Sequence, residues 1–96
     1  MNQKLKEDLL PIGSLVKLFQ GNKYLMVMGR FHRNLEDGKI FDYAGCLYPE
    51  GYQGGNSYYL FQHQQIEQII FSGLQNEEEL AYRQLMFSKL EQLKKS

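Results

Sequence analysis

IEQIIF at residues 66–71, SGLQ at 72–75 and NEEELAYRQLMFSKLEQLKK at 76–95 set two folding grammars side by side. The first run is rich in β-branched and aromatic residues, the composition of a strand, although its start also suits one helical turn. From Asn76 the pattern changes. Asn76 followed by Glu79 has capping-box spacing, in which the Asn side chain accepts an orphan helix N–H and Glu79 reaches back to the cap. Glu77, Glu78 and Glu79 then stand at the positive end of the helix, and Lys94 and Lys95 at its negative end. Glu79–Arg83 and Glu91–Lys95 are pairs spaced i, i+4. A strand that gives way to a capped helix predicts an α+β architecture closed by one C-terminal helix.

Upstream, strand grammar dominates. IGSLVKLF (12–19) carries apolar residues on both parities, Gln20 to Lys23 supply a turn, and YLMVM (24–28) resumes the apolar run, so 12–28 reads as a β-hairpin. Gly29 ends that run at a position suited to a bulge or a close backbone approach. A polar loop from Phe31 to Lys39 precedes a third strand at 40–48, and SYYLF (57–61) makes a fourth. The expected fold is a bent antiparallel sheet of about five strands, left open or closed into a small barrel. The whole chain, 1–96, reads as one domain: an N-terminal segment (1–10), a sheet region (11–73) and a helix (76–95).

The helix carries more apolar surface than one packed face requires. At about 100° per residue, Leu80, Tyr82, Leu85, Met86, Phe87, Leu90 and Leu93 spread over about 200°, whereas a packed stripe needs about 100°. Either the helix lies in a deep groove of its own domain, or its outer flank packs on a partner or on a second copy of this chain in a homodimer.

Composition narrows the function classes. Eleven Lys and Arg balance eleven Asp and Glu, so no global field draws the chain to nucleic acid or to an anionic membrane. Arg30, His32 and Arg33 form the only basic cluster, which is small for a nucleic-acid groove. Cys46 is the only cysteine, so no intrachain disulfide forms and a reducing compartment is expected. The first ten residues hold no run of signal-peptide length and nothing later has the length of a membrane span, so the expected location is the cytoplasm.

No catalytic constellation is legible. His32 and His63 could approach Cys46 only by folding, and a strand cysteine is usually a small buried hydrophobe. Three scattered Cys and His residues do not make a structural metal site, and the glycines of 51–55 lack the Gly-Lys-Ser/Thr ending of a phosphate loop. Asp42 and Glu50 flank the third strand without a spacing that singles them out as an acid–base pair. The expectation is a non-enzyme without metal or cofactor.

Tyrosine is the stronger signal. Seven Tyr and six Phe are many for 96 residues, and five of the tyrosines surround PEGYQGGN (49–56), where glycines and a proline permit turns that helix and sheet refuse. Tyr43, Tyr58 and Tyr59 read as half-buried strand residues. Tyr48 and Tyr52, with Pro49, Glu50 and Gly51 between them, read as a contact surface, because tyrosine offers a large rigid ring with one polar tip. The partner-binding candidates are therefore Tyr48, Pro49, Glu50, Gly51 and Tyr52 in the loop, and Tyr82, Leu85, Met86, Phe87, Leu90 and Leu93 on the helix.

Three runs in fixed order, LPIGSLV (10–16), LMVMGR (25–30) and DYAGCLYPEG (42–51), together with FQH (61–63) and residues 66–73, resemble a family. It is a small domain-of-unknown-function family of Gram-positive bacteria, encoded in type VII secretion gene clusters beside LXG-type toxins and their helical partner proteins. The resemblance spans about residues 9 to 74 and leaves the terminal helix outside. It implies a cytoplasmic adaptor or chaperone that binds a cognate LXG-type toxin before export, with an immunity role as the alternative. A small-ligand or nucleic-acid-binding module is a further alternative, which the resemblance does not supply. It supplies no catalytic residues. The chain has no tryptophan, and no Tyr is followed four residues later by Asp or Glu, so it does not look like type VII cargo in its own right.

Overall fold

The computed structural model describes Leu5, Asp8 and residues 9–95, with side chains as far as Gln92. Among these residues the strands are β1 (Leu15–Leu18), β2 (Tyr24–Arg33), β3 (Ile40–Tyr48), β4 (Tyr59–Phe61) and β5 (Ile66–Phe71). A 3-10 turn at His63–Gln65 precedes β5, and the α-helix α1 (Glu77–Lys95) ends the chain's described part. The strands form one antiparallel sheet in the order β4-β3-β2-β1-β5, so the fold is α+β. The sheet is open: β4 and β5 are its two edges, and the closed barrel does not form.

It is nonetheless strongly bent. Only residues 62–65 link Phe61 on one edge to Ile66 on the other. Four strand spacings in a flat sheet measure about 19 Å. Five extended residue steps reach at most about 17 Å, and a 3-10 turn shortens that. The edges must therefore curl toward each other, and Phe19 N–H donates to Gln65 O (3.0 Å), extending the β1–β5 pairing into the link.

The strand β2 is longer than its apolar run. Its register with β3 shifts between Val27 and Gly29, a bulge at the position where Gly29 had marked a break, and pairing then continues to His32↔Phe41 and Arg33↔Ile40. The polar loop shrinks to a turn at 34–39, held by Asn34 N–H to Lys39 O and Gly38 N–H to Asn34 O. Polar His32 and Arg33 looked like loop because sequence reading weighs side chains, whereas ladder pairing is made by backbone.

One face of the curled sheet is the core. Val16, Leu25, Val27, Tyr43 and Phe61 are buried there with Leu5, Leu9 and Leu10 from the N-terminal segment and with Phe87 and Leu90 from α1. Two successive residues of β2 serve the helix. Arg30 reaches Glu79, and Phe31 packs edge-on against Phe87 with ring centroids 5.3 Å apart. Neighbouring strand residues normally point to opposite faces. Phe31 escapes that rule by adopting φ +53°, a left-handed conformation uncommon for a non-glycine residue.

Gly73 closes the link from β5 to α1. A Cβ there would lie 2.2 Å from Ile12 O, so the link can pass this tightly beside the segment before β1 only with glycine at that point. The hydroxyl of Ser14 then accepts Gly73 N–H (2.9 Å) and itself donates to Pro11 O (2.8 Å).

Candidate functional site

The loop after β3 is folded on itself. Gly51 N–H donates to Leu47 O (2.7 Å), Gln53 N–H to Ser57 Oγ (3.0 Å) and the Tyr52 hydroxyl to Gly55 O (2.9 Å). Gly51, Gly54 and Gly55 take the positive φ values that its composition suggested, and the Tyr48–Pro49 peptide is cis. Tyr48 lies opposite Tyr24 in the β2–β3 ladder, and both rings, like that of Tyr52, remain substantially exposed. Glu50 pairs with Lys23 of the β1–β2 turn, and that hydrogen bond holds its carboxyl below the usual range. Tyr48, Pro49, Glu50, Gly51 and Tyr52 are thus brought together at the hairpin end of the sheet, in a loop held by its own hydrogen bonds.

The helix residues divide. Phe87 and Leu90 are buried in the core and Met86 packs against it, whereas Tyr82 and Leu85 are exposed together with Leu80. The side chain of Leu93 and those of Lys94 and Lys95 lie outside the described residues. The apolar arc of about 200° therefore divides: its middle stripe is core, and exposed residues flank it, Tyr82 and Leu85 on one side and Leu80 on the other.

Charge completes the buried stripe. Glu79 and Arg83 continue the line of Phe87 and Leu90 at helical spacing, and Glu79 takes both Arg83 and Arg30 of β2 as partners. The two nitrogens of the Arg30 guanidinium bond the Glu79 carboxylate at 2.6 and 2.8 Å, and Arg83 bonds it at 2.9 Å. Arg30 also donates to Leu10 O (3.2 Å), and Arg83 to Gln75 Oε1 (3.2 Å). All three charged side chains are almost fully covered. Burial works against charge on Glu79, but the two arginines outweigh it and hold its carboxyl below the usual range. The capping box is half formed: Asn76 Oδ1 accepts Glu79 N–H (3.0 Å), while the Glu79 carboxylate goes to arginine instead of back to the cap.

This cluster was missed in the sequence. Glu79–Arg83 was legible only as an i, i+4 pair within the helix, and Arg30 only as part of a small basic cluster. A signal existed, because positions 79, 83, 87 and 90 fall on one helical stripe. With Arg30 turned inward, His32 and Arg33 are left exposed without it.

A second polar network ties the N-terminal segment to β3. The buried Tyr43 hydroxyl accepts Leu10 N–H (3.0 Å) and lies 2.7 Å from His63 Nδ1, while His63 N–H donates to Asp42 Oδ2 (2.8 Å). Burial raises the Tyr43 pKa to about 12, so the phenol stays neutral and shares one hydrogen with the His63 Nδ1 beside it. Asp42 is thereby engaged at one end of β3 and Glu50 beyond the other, so the two carboxylates do not form a pair. Cys46 is buried opposite Met26, and His32 packs edge-on against Tyr58. Among the described residues no three Cys, His, Asp or Glu side chains converge, and no helix is long and apolar enough to cross a membrane.

A family model described as a domain of unknown function, DUF4176, matches residues 9–82. The match takes in the whole sheet and the first part of α1, reaching further than the resemblance read from the sequence. No curated protein and no solved structure matches the chain.

Proposed function

The chain belongs to the DUF4176 family of domains of unknown function, and from that premise we propose that it is a non-catalytic adaptor or chaperone for another protein. Its partner, on the gene context implied by the sequence resemblance, is a cognate LXG-type toxin, bound in the cytoplasm and assisted toward type VII export. The observation that carries this reading is the amount of large apolar side chain left outside the core. Ile12, Leu74 and Tyr82 are exposed together beside the helix, with Leu85 exposed on the helix itself, and Tyr24, Tyr48 and Tyr52 are exposed at or beside the loop. Scattered single hydrophobes need no explanation, but clusters of this size on a small domain mark interaction surfaces.

Co-expression of the chain with the toxin encoded beside it, with a tag on one of the two, tests the reading. A stable complex on size-exclusion chromatography is the expected result. Repeated failure with a well-folded toxin overturns it. Neutralisation of the toxin inside a cell that lacks the secretion apparatus would assign the immunity role instead.

A further inference from the structure

The outer edge of β5 presents its free backbone groups at an unusual spacing. Val27 donates to Ser14 O (2.8 Å) and accepts Gly13 N–H (2.8 Å), so its backbone faces the β1 side. Alternation then turns Leu25 toward β1 and its partner Val16 toward β2, which leaves Leu15 and Lys17 facing β5. Phe19 keeps that alternation by donating to Gln65 O. Gln68 and Phe71, paired with Lys17 and Leu15, therefore face inward, whereas Ile66 and Ile69, paired with Leu18 and Val16, face outward. The two register shifts insert Glu67 and Ile70 as extra residues with no partner in β1. Gly73 N–H turns back to Ser14 Oγ, so Ser72 before it is the next outward residue. Outward backbone thus recurs at 66, 69 and 72, every third residue, where a regular strand presents it every second.

This edge is open and largely apolar. Among the described residues no strand lies on its outer side, and Glu67 to Phe71 are all exposed, Ile69 at 54% and Phe71 at 59%. The opposite edge, β4, has three residues, a length that discourages strand addition. The strand β5 has six, with neither proline nor lysine among them, and its one charged residue, Glu67, is paired with Lys17. A regular foreign strand laid along β5 would meet one outward group and fall out of step at the next, which is how bulges guard an edge. A strand with the same three-residue spacing stays in step, and the β5 of a second copy has it.

We propose that the protein forms a two-fold dimer in which β5 pairs antiparallel with the β5 of a second copy, centred on Ile69. In that register Ile69 exchanges both backbone hydrogen bonds with its equivalent, and the exposed isoleucine side chains cover each other across the ladder. Ile66 stands opposite Ser72 of the other copy. Its own N–H is already donated to His63 O, but its outward carbonyl accepts the Ser72 N–H. The two Glu67 residues lie four ladder positions apart, about 13 Å, which exceeds the screening length of about 8 Å at physiological salt. The dimer stands apart from the partner-binding reading above and is tested without a partner.

A six-residue edge is short beside standard interfaces of about 1,200–2,000 Å², so association should depend on concentration. Sedimentation equilibrium of the full chain should show the mass rise from 11.3 kDa toward twice that value as the concentration approaches about 1 mM. Ile69→Pro removes an outward N–H and no bond to β1, so the chain should stay folded by circular dichroism while its dimer weakens at least about tenfold. Ile69→Lys, which keeps the backbone N–H but puts like charges face to face at the axis, should weaken it too and serves if proline disturbs the strand. Under mild oxidation Ile69→Cys should form a disulfide-linked dimer at least about tenfold faster than Glu67→Cys, whose equivalents lie beyond disulfide reach. A chain that stays monomeric at about 1 mM overturns the proposal. So do equal cross-linking rates at the two positions, or a dimer that Leu85→Asp on α1 dissolves and the Ile69 variants do not.

Discussion

In the first half of α1, Glu79, backed by Arg83, meets Arg30 of the sheet through charge; in the second half, Phe87 and Leu90 meet the sheet through hydrocarbon. The two halves lie on one helical stripe and cross one sheet, yet they hold it differently. Apolar burial is non-directional and roughly proportional to area, so the second half supplies docking free energy without fixing orientation tightly. The bidentate Arg30–Glu79 pair has a fixed geometry and costs desolvation, so it contributes position more than net stability. The ionic half is also the half beside Ile12, Leu74 and Tyr82, which stay exposed.

The largest effect should come from the apolar half. Phe87→Ala removes a buried ring that packs edge-on against Phe31 and should cost about 3–5 kcal/mol in chemical denaturation. Glu79→Gln should cost about 3 kcal/mol, because two covered arginines lose their counter-charge. A cost close to zero would show that the ionic half is not anchored. The pH dependence separates the halves further. Glu79 has a depressed carboxyl in the folded protein, so its contribution is present above the ordinary glutamate range and lost as pH falls through the lower folded value. Acid unfolding of wild type should therefore exceed that of Glu79→Gln, whereas Phe87→Ala should keep the wild-type acid slope.

A smaller effect lies at the opposite extreme of pH. Tyr43 titrates near 12 in the folded chain against an ordinary 10, so its contribution is full below pH 10 and declines as pH rises toward 12. That loss should approach about 2 kcal/mol, read as the alkaline difference between wild type and Tyr43→Phe. Smallest is the cap. Asn76→Ala should cost about 1 kcal/mol by leaving Glu79 N–H without its side-chain acceptor. Because Asn76 opens the ionic half, combining it with Glu79→Gln should be non-additive, while combining it with Phe87→Ala should be additive.

Much of the frame was legible. The third and fifth strands, the turn before the fifth and the capped start of the helix follow from local grammar, and each stands where its residues suggested. The extension of β2 through His32 and Arg33 was not legible, because its ladder bonds are backbone groups that leave no mark on side-chain composition. The loop surface at Tyr48 and Tyr52 could be found from tyrosines bordering glycines. The meeting of Ile12, Met28, Leu74 and Tyr82 beside the helix could not, since they come from four separate stretches.

The sequence by itself determined the α+β class, the helix and its cap, because alternation, turn residues and capping act over a few neighbouring positions. It also announced more apolar helix surface than one face needs. Only the tertiary structure decided how that surface divides. The curl of the sheet and the turn of Phe31 bring Arg30 and Phe31 to the same helix, burying Glu79, Arg83, Phe87 and Leu90 and leaving Leu80, Tyr82 and Leu85 outside. The physical reason is that burial is a property of what lies opposite a residue in space. A buried charge is tolerated where a counter-charge from 49 residues away arrives to meet it.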